Sequence, residues 1–261
     1  MRLFPGFLLL AIALATPAAA AERRCAGTNA TIYAESVYDT YLACAGAADA
    51  VAFMSQQGFT VDTVMHIDIL DAVYIHSDDT PALRVLGQYE VDRERISVTS
   101  SEGQREMAVD KPIFGIPYED DIFRSVVAHE VAHAIAEENF HVVEPTRIAH
   151  EYIAYIVQLA TMPTRLRQRV LDRHPVPAFA TELDISPIVY GMNPDIFAVK
   201  AYRHFRNPQV GAMFVQTVLS RDLMSIFPQW GDWAASDPID GSQIASRPND
   251  EPSPVEPEPL R

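Results

Sequence analysis

His129-Glu130-Val131-Ala132-His133 constrains this chain more than any other stretch, because two histidines four residues apart share a face only if the backbone between them is helical. At about 100° per residue, Phe123, Val127, Val131 and Ile135 form an apolar stripe, with His129 and His133 roughly opposite it. A helix beginning near Ile122 is therefore expected, with Asp120-Asp121 capping it and complementing its dipole. Two imidazoles so placed can meet one Zn²⁺ ion, and Glu130 is near enough to take a proton from a water activated there. The competing reading is a coincidental pair of histidines, solvated or structural, that needs no metal.

A catalytic zinc takes three protein ligands. The compact pattern HExxHxxGxxH fails, since Ala136 replaces its glycine and Asn139 its third histidine. A second helix over residues 145–159 offers Glu151, 18 positions after His133. Residues 152–157 are apolar or aromatic on every side, so that helix is expected to be buried. A carboxylate there costs several kcal/mol unless a cation or donors compensate. Zinc would compensate; an i,i+4 ion pair with Arg147 would also do so, and adjacent His150 is the other candidate ligand.

The rest of the chain divides into an N-terminal part of mixed character and a helical remainder. Met1-Arg2, the apolar run from Leu3 to Leu14 and the small residues Pro17 to Ala21 read as a cleaved secretory signal over 1–21, too short to span a bilayer. Cys25 and Cys44 are the only cysteines, and in an exported protein they pair most simply as a disulfide. Ser36 to Gln57 has helical spacing, through Val37, Tyr41, Leu42, Ala45, Ala48, Val51 and Phe53. Strands are expected at Val61–Leu70, Ala72–Ile75, Tyr89–Val91 and Arg95–Ser100, the last as a half-buried or edge strand. A loop containing Gly103, Pro112, Gly115 and Pro117 then leads to the histidine helix. Pro145, Pro163, Pro194 and Pro208 are read as first-turn prolines of later helices, with Asn193-Pro194 and Asn207-Pro208 as N-cap and N1 pairs. Residues 237–261 hold six prolines and six acids against two arginines and are expected to form an extended tail. Residues 22–236 are left as one domain.

Charge narrows the class of partner. With 35 acidic against 20 basic side chains the formal net charge is −15, which argues against a nucleic-acid backbone as ligand.

HEVAH followed by a loop and a second helix carrying Glu-Tyr-Ile-Ala-Tyr resembles the gluzincin group of zinc metallopeptidases over roughly residues 95–160. The resemblance implies His129, His133 and Glu151 as zinc ligands, Glu130 as general base, and a strand before the zinc helix that binds an extended substrate by β-augmentation; Arg95–Ser100 is similar to that strand in order and character. This chain departs from the group in having Tyr155 where thermolysin-like enzymes place an acid to orient a ligand histidine, and in lacking the Gly-x-Met-Glu-Asn stretch of aminopeptidases. A donor for the oxyanion is also needed. Candidates are Tyr155, Tyr190, Tyr202 and His204, the last two on the stretch Pro194 to Phe205, which resembles the late helix flanking gluzincin clefts.

The sequence thus predicts an α+β fold, with a small N-terminal sheet, a zinc helix and a mainly helical C-terminal part. It predicts an exported, periplasmic or secreted, zinc metallopeptidase acting on a peptide or protein, with Glu130, Tyr202 and His204 as catalytic residues and no membrane association after signal cleavage. The alternative is an inactive protein of the same fold that serves as a binding or scaffold module.

Overall fold

The computed structural model describes residues 21–77 and 80–221. The signal expected over 1–21 lies outside these residues except for Ala21, and the tail over 237–261 lies outside them entirely.

The architecture is α+β, with a small mixed sheet followed by a mostly helical part. Two short strands that the sequence reading did not anticipate open it, β1 (Ala21–Arg24) and β2 (Ala30–Ala34). Helix α1 (Val37–Gln56) follows, and its N-cap Ser36 accepts a hydrogen bond from the Asp39 amide. Then come β3 (Met65–Leu70), β4 (Val73–Ser77), β5 (Thr80–Val85), β6 (Gly87–Glu90) and β7 (Arg95–Thr99). The main sheet has the order β1-β2-β3-β7-β6, with β2, β3 and β7 parallel and the outer strands antiparallel to their neighbours; β4 and β5 pair separately. Arg95–Ser100 is therefore not an edge strand: β7 is paired on both sides, and β6 occupies the edge.

Register explains why one face of the sheet is core. Ile32 stands beside Ile67 and Ile67 beside Ile96, forming a row of three isoleucines with almost no exposed surface. Each such burial contributes roughly 2 kcal/mol. Tyr33, His66, Asp68 and Arg95 alternate onto the opposite face, where Arg95 pairs with Asp68.

The loop expected around Gly103 is instead helix α2 (Ser101–Asp110), capped by Ser100 and held by Asp39, whose carboxylate accepts from the Ser101 hydroxyl. Gly103 is there because the carbonyl of Asp71 approaches closely: a Cβ would lie 2.3 Å from it. Helices α3 (Asp120–Asn139), α4 (Arg147–Thr161), α5 (Thr164–Arg173), α6 (Pro187–Met192), α7 (Pro194–Phe205) and α8 (Gly211–Ser220) complete the described chain. Asn193-Pro194 caps and opens α7 as expected. The other prolines fall differently: Pro145 precedes the α4 cap Thr146, Pro163 is itself the cap residue of α5, and Asn207-Pro208 forms a separate turn before α8.

Helix α3 is the central strut. It packs on α1, α4, β6 and β7, and its side chains from Ile122 to Ala136 are buried on nearly every face. The expected single apolar stripe is thus too narrow, because the histidine face is covered by protein too. Helix α1 buries small residues, Ala43, Gly46, Ala47 and Ala50, while Val37 and Tyr41, part of its helical spacing, are exposed. A Cβ on Gly46 would lie 2.4 Å from the Arg124 carbonyl, so the close approach requires glycine. Cys25 and Cys44 form a disulfide that ties the β1–β2 connection to α1. A second apolar cluster, including Phe114, Leu159, Leu166 and Tyr202, forms where α5 and α7 meet α4.

Candidate metal centre

Two helices set the site. On α3, His129 and His133 stand one turn apart with their Nε2 atoms 3.1 Å from each other. On α4, whose start is fixed by the Thr146 cap, Glu151 brings Oε2 to 3.5 Å from His129 Nε2. The three ligand atoms all lie within 4.8 Å of one another, so His129, His133 and Glu151 could hold a metal ion. Donors about 2.0–2.2 Å from one tetrahedral ion stand roughly 3.3 Å apart, and the two shorter separations bracket that value.

The bonding of Glu151 supports the same fit. Its Oε1 accepts from the Tyr190 hydroxyl at 3.0 Å and lies 3.6 Å from Arg147 Nε, while Arg147 also donates to Tyr190 and lies over its ring. Its Oε2 is buried and has no hydrogen-bond partner among the described residues. The Arg147 ion pair weighed against a ligand role therefore exists, but it engages the other oxygen. A buried acceptor left open beside two imidazole nitrogens is a donor set lacking only a cation.

Electrostatics follow from this crowding. Burial alone would raise the Glu151 pKa, but the His129 imidazole 3.5 Å away and the charges of His133 and Arg147 outweigh it and hold it near 2. Burial would likewise lower His129, yet the Glu151 carboxylate 3.5 Å away and the Glu130 carboxylate raise it. His133 is pushed well below the usual histidine range by burial and by His129, which leaves its nitrogen lone pair available. Glu130 is raised to about 7 by burial, against the pull of His129.

Glu130 lies against the sheet edge. A Cβ on Gly87 of β6 would fall 2.6 Å from Glu130 Oε1, so this strand can pass beside the carboxylate only with glycine there. Tyr155 sets its ring edge-to-face on His129, with centroids 4.6 Å apart, and burial holds its phenol pKa well above the usual value, so the hydroxyl stays a donor at neutral pH.

Not every expected residue arrives here. His150 lies near His133, but its Nε2 faces Glu137 Oε2 at 3.1 Å and its ring packs on Phe140. The cluster takes its neighbour Glu151. Tyr202 belongs to the second apolar cluster, with Arg167 over its ring, and is not brought to the metal cluster. His204 is not brought there either: its Nδ1 meets the Tyr152 hydroxyl at 2.7 Å within an aromatic group that includes Phe179 and Phe214. Both lie on α7 and share its packing against α4, which is what makes that stretch apolar. Conversely, the sequence reading missed Gly87 and Gln158. Gln158 could have been found as the one polar side chain in the apolar run of α4, seven residues and two turns beyond Glu151.

Fold and site together define an α+β protein with a buried two-histidine, one-glutamate cluster able to hold a metal ion. Residues 30–226 match the Family of unknown function (DUF6639), and the chain belongs to that family. No curated protein and no solved structure matches the chain.

Proposed function

We propose that this protein is an exported, zinc-dependent metallopeptidase of gluzincin type. The observation that carries the reading is the unpartnered Glu151 Oε2 beside the two imidazole nitrogens, with Glu130 next to them. His129, His133 and Glu151 would hold the ion, and two histidines with one carboxylate suit Zn²⁺. When bound, zinc supplies Lewis acidity to a carbonyl and lowers the pKa of water. Glu130 accepts a proton from the attacking water and returns it to the leaving amine. Tyr155, whose phenol keeps its proton and whose ring packs on His129, is the donor candidate, since the Tyr190 hydroxyl is engaged by Glu151. Gly87 keeps the path between Glu130 and β6 open, and β6, an edge strand of the sheet among the described residues, replaces β7 as the strand on which an extended peptide would lie.

Export is supported by the Cys25–Cys44 disulfide and by the N-terminal signal pattern; among the described residues no helix is long and apolar enough to cross a membrane. The acidic charge keeps nucleic acid out of the reading. Tyr155 in the place of an orienting acid favours the second reading, an inactive protein of this fold that binds metal and serves as a scaffold.

Glu130→Gln separates the two. The variant is expected to keep its zinc and to lose hydrolysis of a peptide library by about 10²-fold or more. Full turnover in the pure variant would contradict the general-base assignment, and zinc binding without turnover in the wild type would favour the scaffold.

A further inference from the structure

A ligand histidine is held in place by whatever receives its second ring N–H. In His129 that atom is Nδ1, since Nε2 faces His133 and Glu151; Nδ1 is buried and has no hydrogen-bond partner among the described residues. The side chain one turn before it on α3 is Ser125, and the buried Gln158 of α4 donates from Nε2 to Ser125 Oγ at 3.4 Å, which places its carboxamide beside His129. Ser125 in turn donates its single hydroxyl proton to the Ile122 carbonyl at 2.8 Å.

This chain of bonds fixes which way the carboxamide faces. With its proton spent on Ile122, Ser125 Oγ can only accept, so Gln158 must present its NH₂ to Ser125 and turn its carbonyl oxygen elsewhere. The donor left without a partner beside it is His129 Nδ1–H. We propose that Gln158 is the positioning residue of the metal centre: its carbonyl oxygen receives Nδ1–H, fixes the tautomer with the lone pair on Nε2, and orients that nitrogen toward the ion. This function falls to a residue three positions beyond Tyr155, one turn further along α4, and to a neutral acceptor in place of an acid.

The proposal rests on the metal reading, and its test keeps the two apart. Zinc affinity of the full chain is measured by competition with a chromophoric chelator for the wild type, Gln158→Leu, Gln158→Glu and Ser125→Ala, together with the melting temperature of each protein without metal. Gln158→Leu is expected to weaken zinc binding 10- to 100-fold, without a matching loss of metal-free stability. Gln158→Glu, which keeps an acceptor, is expected to recover most of that affinity. Ser125→Ala leaves the carboxamide free to turn and is expected to weaken binding by a smaller factor; it carries the test if the leucine variant does not fold. Wild-type affinity in both Gln158→Leu and Ser125→Ala, or a loss in Gln158→Leu that the glutamate does not recover, overturns the positioning role while leaving the metal reading intact. A wild type that takes up no zinc overturns both.

Discussion

Single atoms decide what this protein can do. Gly87 shows this most sharply, because a methyl group there would meet Glu130 Oε1, Cγ and Cδ at 2.6, 2.7 and 2.8 Å. Gly87→Ala is therefore expected to displace the carboxylate or the strand while leaving His129, His133 and Glu151 in place. Zinc content should stay at the wild-type level, and peptide hydrolysis should fall by about 10²-fold, the scale of an ångström misplacement at a reacting centre; unchanged turnover would show that the contact does not matter. His204 illustrates a different constraint. Burial lowers its pKa against the weaker pull of Glu182, so its folded value lies below its unfolded one. The neutral ring accepts from Tyr152, and the stability this arrangement contributes is present above about pH 6.5 and lost as pH falls through the folded value. Urea unfolding of the wild type at pH 7.5 and 5.5 should thus show a loss on acidification that is smaller in His204→Phe. An equal loss in both would place the acid sensitivity elsewhere.

At the scale of elements, legibility tracked how local the cause was. The α3 helix, the Asn193-Pro194 start of α7 and the strand character of Met65–Leu70 and β7 follow from short-range pattern; the expected cap of α3 does not form, since Glu119 is its N-cap without a side-chain bond and Asp120 and Asp121 lie in its first turn, and residues 61–64 stay outside β3. Helix α2 was hidden because its stability comes from Asp39, 62 positions away in sequence, and because Gly103 reads as a loop residue when it in fact admits the Asp71 carbonyl. Strands β1 and β2 are short, and partners fixed only in three dimensions make them strands. The edge assignment failed for the same reason: alternation shows that Arg95–Ser100 is half-buried, but only the pairing order reveals that β6 lies outside it. All three residues of the cluster that could hold a metal ion were named from spacing and from the cost of a buried glutamate, with His150 left open beside Glu151. Their supports, Tyr190 on Glu151 and Gln158 near His129, were not, since they come from separate turns and helices.

For the whole molecule, the disulfide fastens the N-terminal part of the fold and the central helix holds the site. Cys25 and Cys44 are 19 positions apart, and closing a loop of that length stabilises the folded chain by about 3 kcal/mol. Reduction, or replacement of both cysteines by alanine, is expected to lower the urea midpoint by the equivalent of that energy while zinc affinity stays near that of the wild type, because no ligand lies on α1. A metal affinity that fell with the disulfide would tie the cluster to the N-terminal part more closely than the contacts do. Helix α3 carries the opposite dependence: it presents His129, His133 and Glu130 while packing on α1, α4 and the sheet, so site and core are one structure. The central claim is that His129, His133 and Glu151 form a single zinc site. Elemental analysis of protein purified without chelator tests it most directly, with the wild type beside Glu151→Ala and His150→Ala. The account predicts one zinc per chain in the wild type and in His150→Ala, and loss of most of it in Glu151→Ala; a wild type without stoichiometric zinc, or zinc that depends on His150 and not on Glu151, would contradict it.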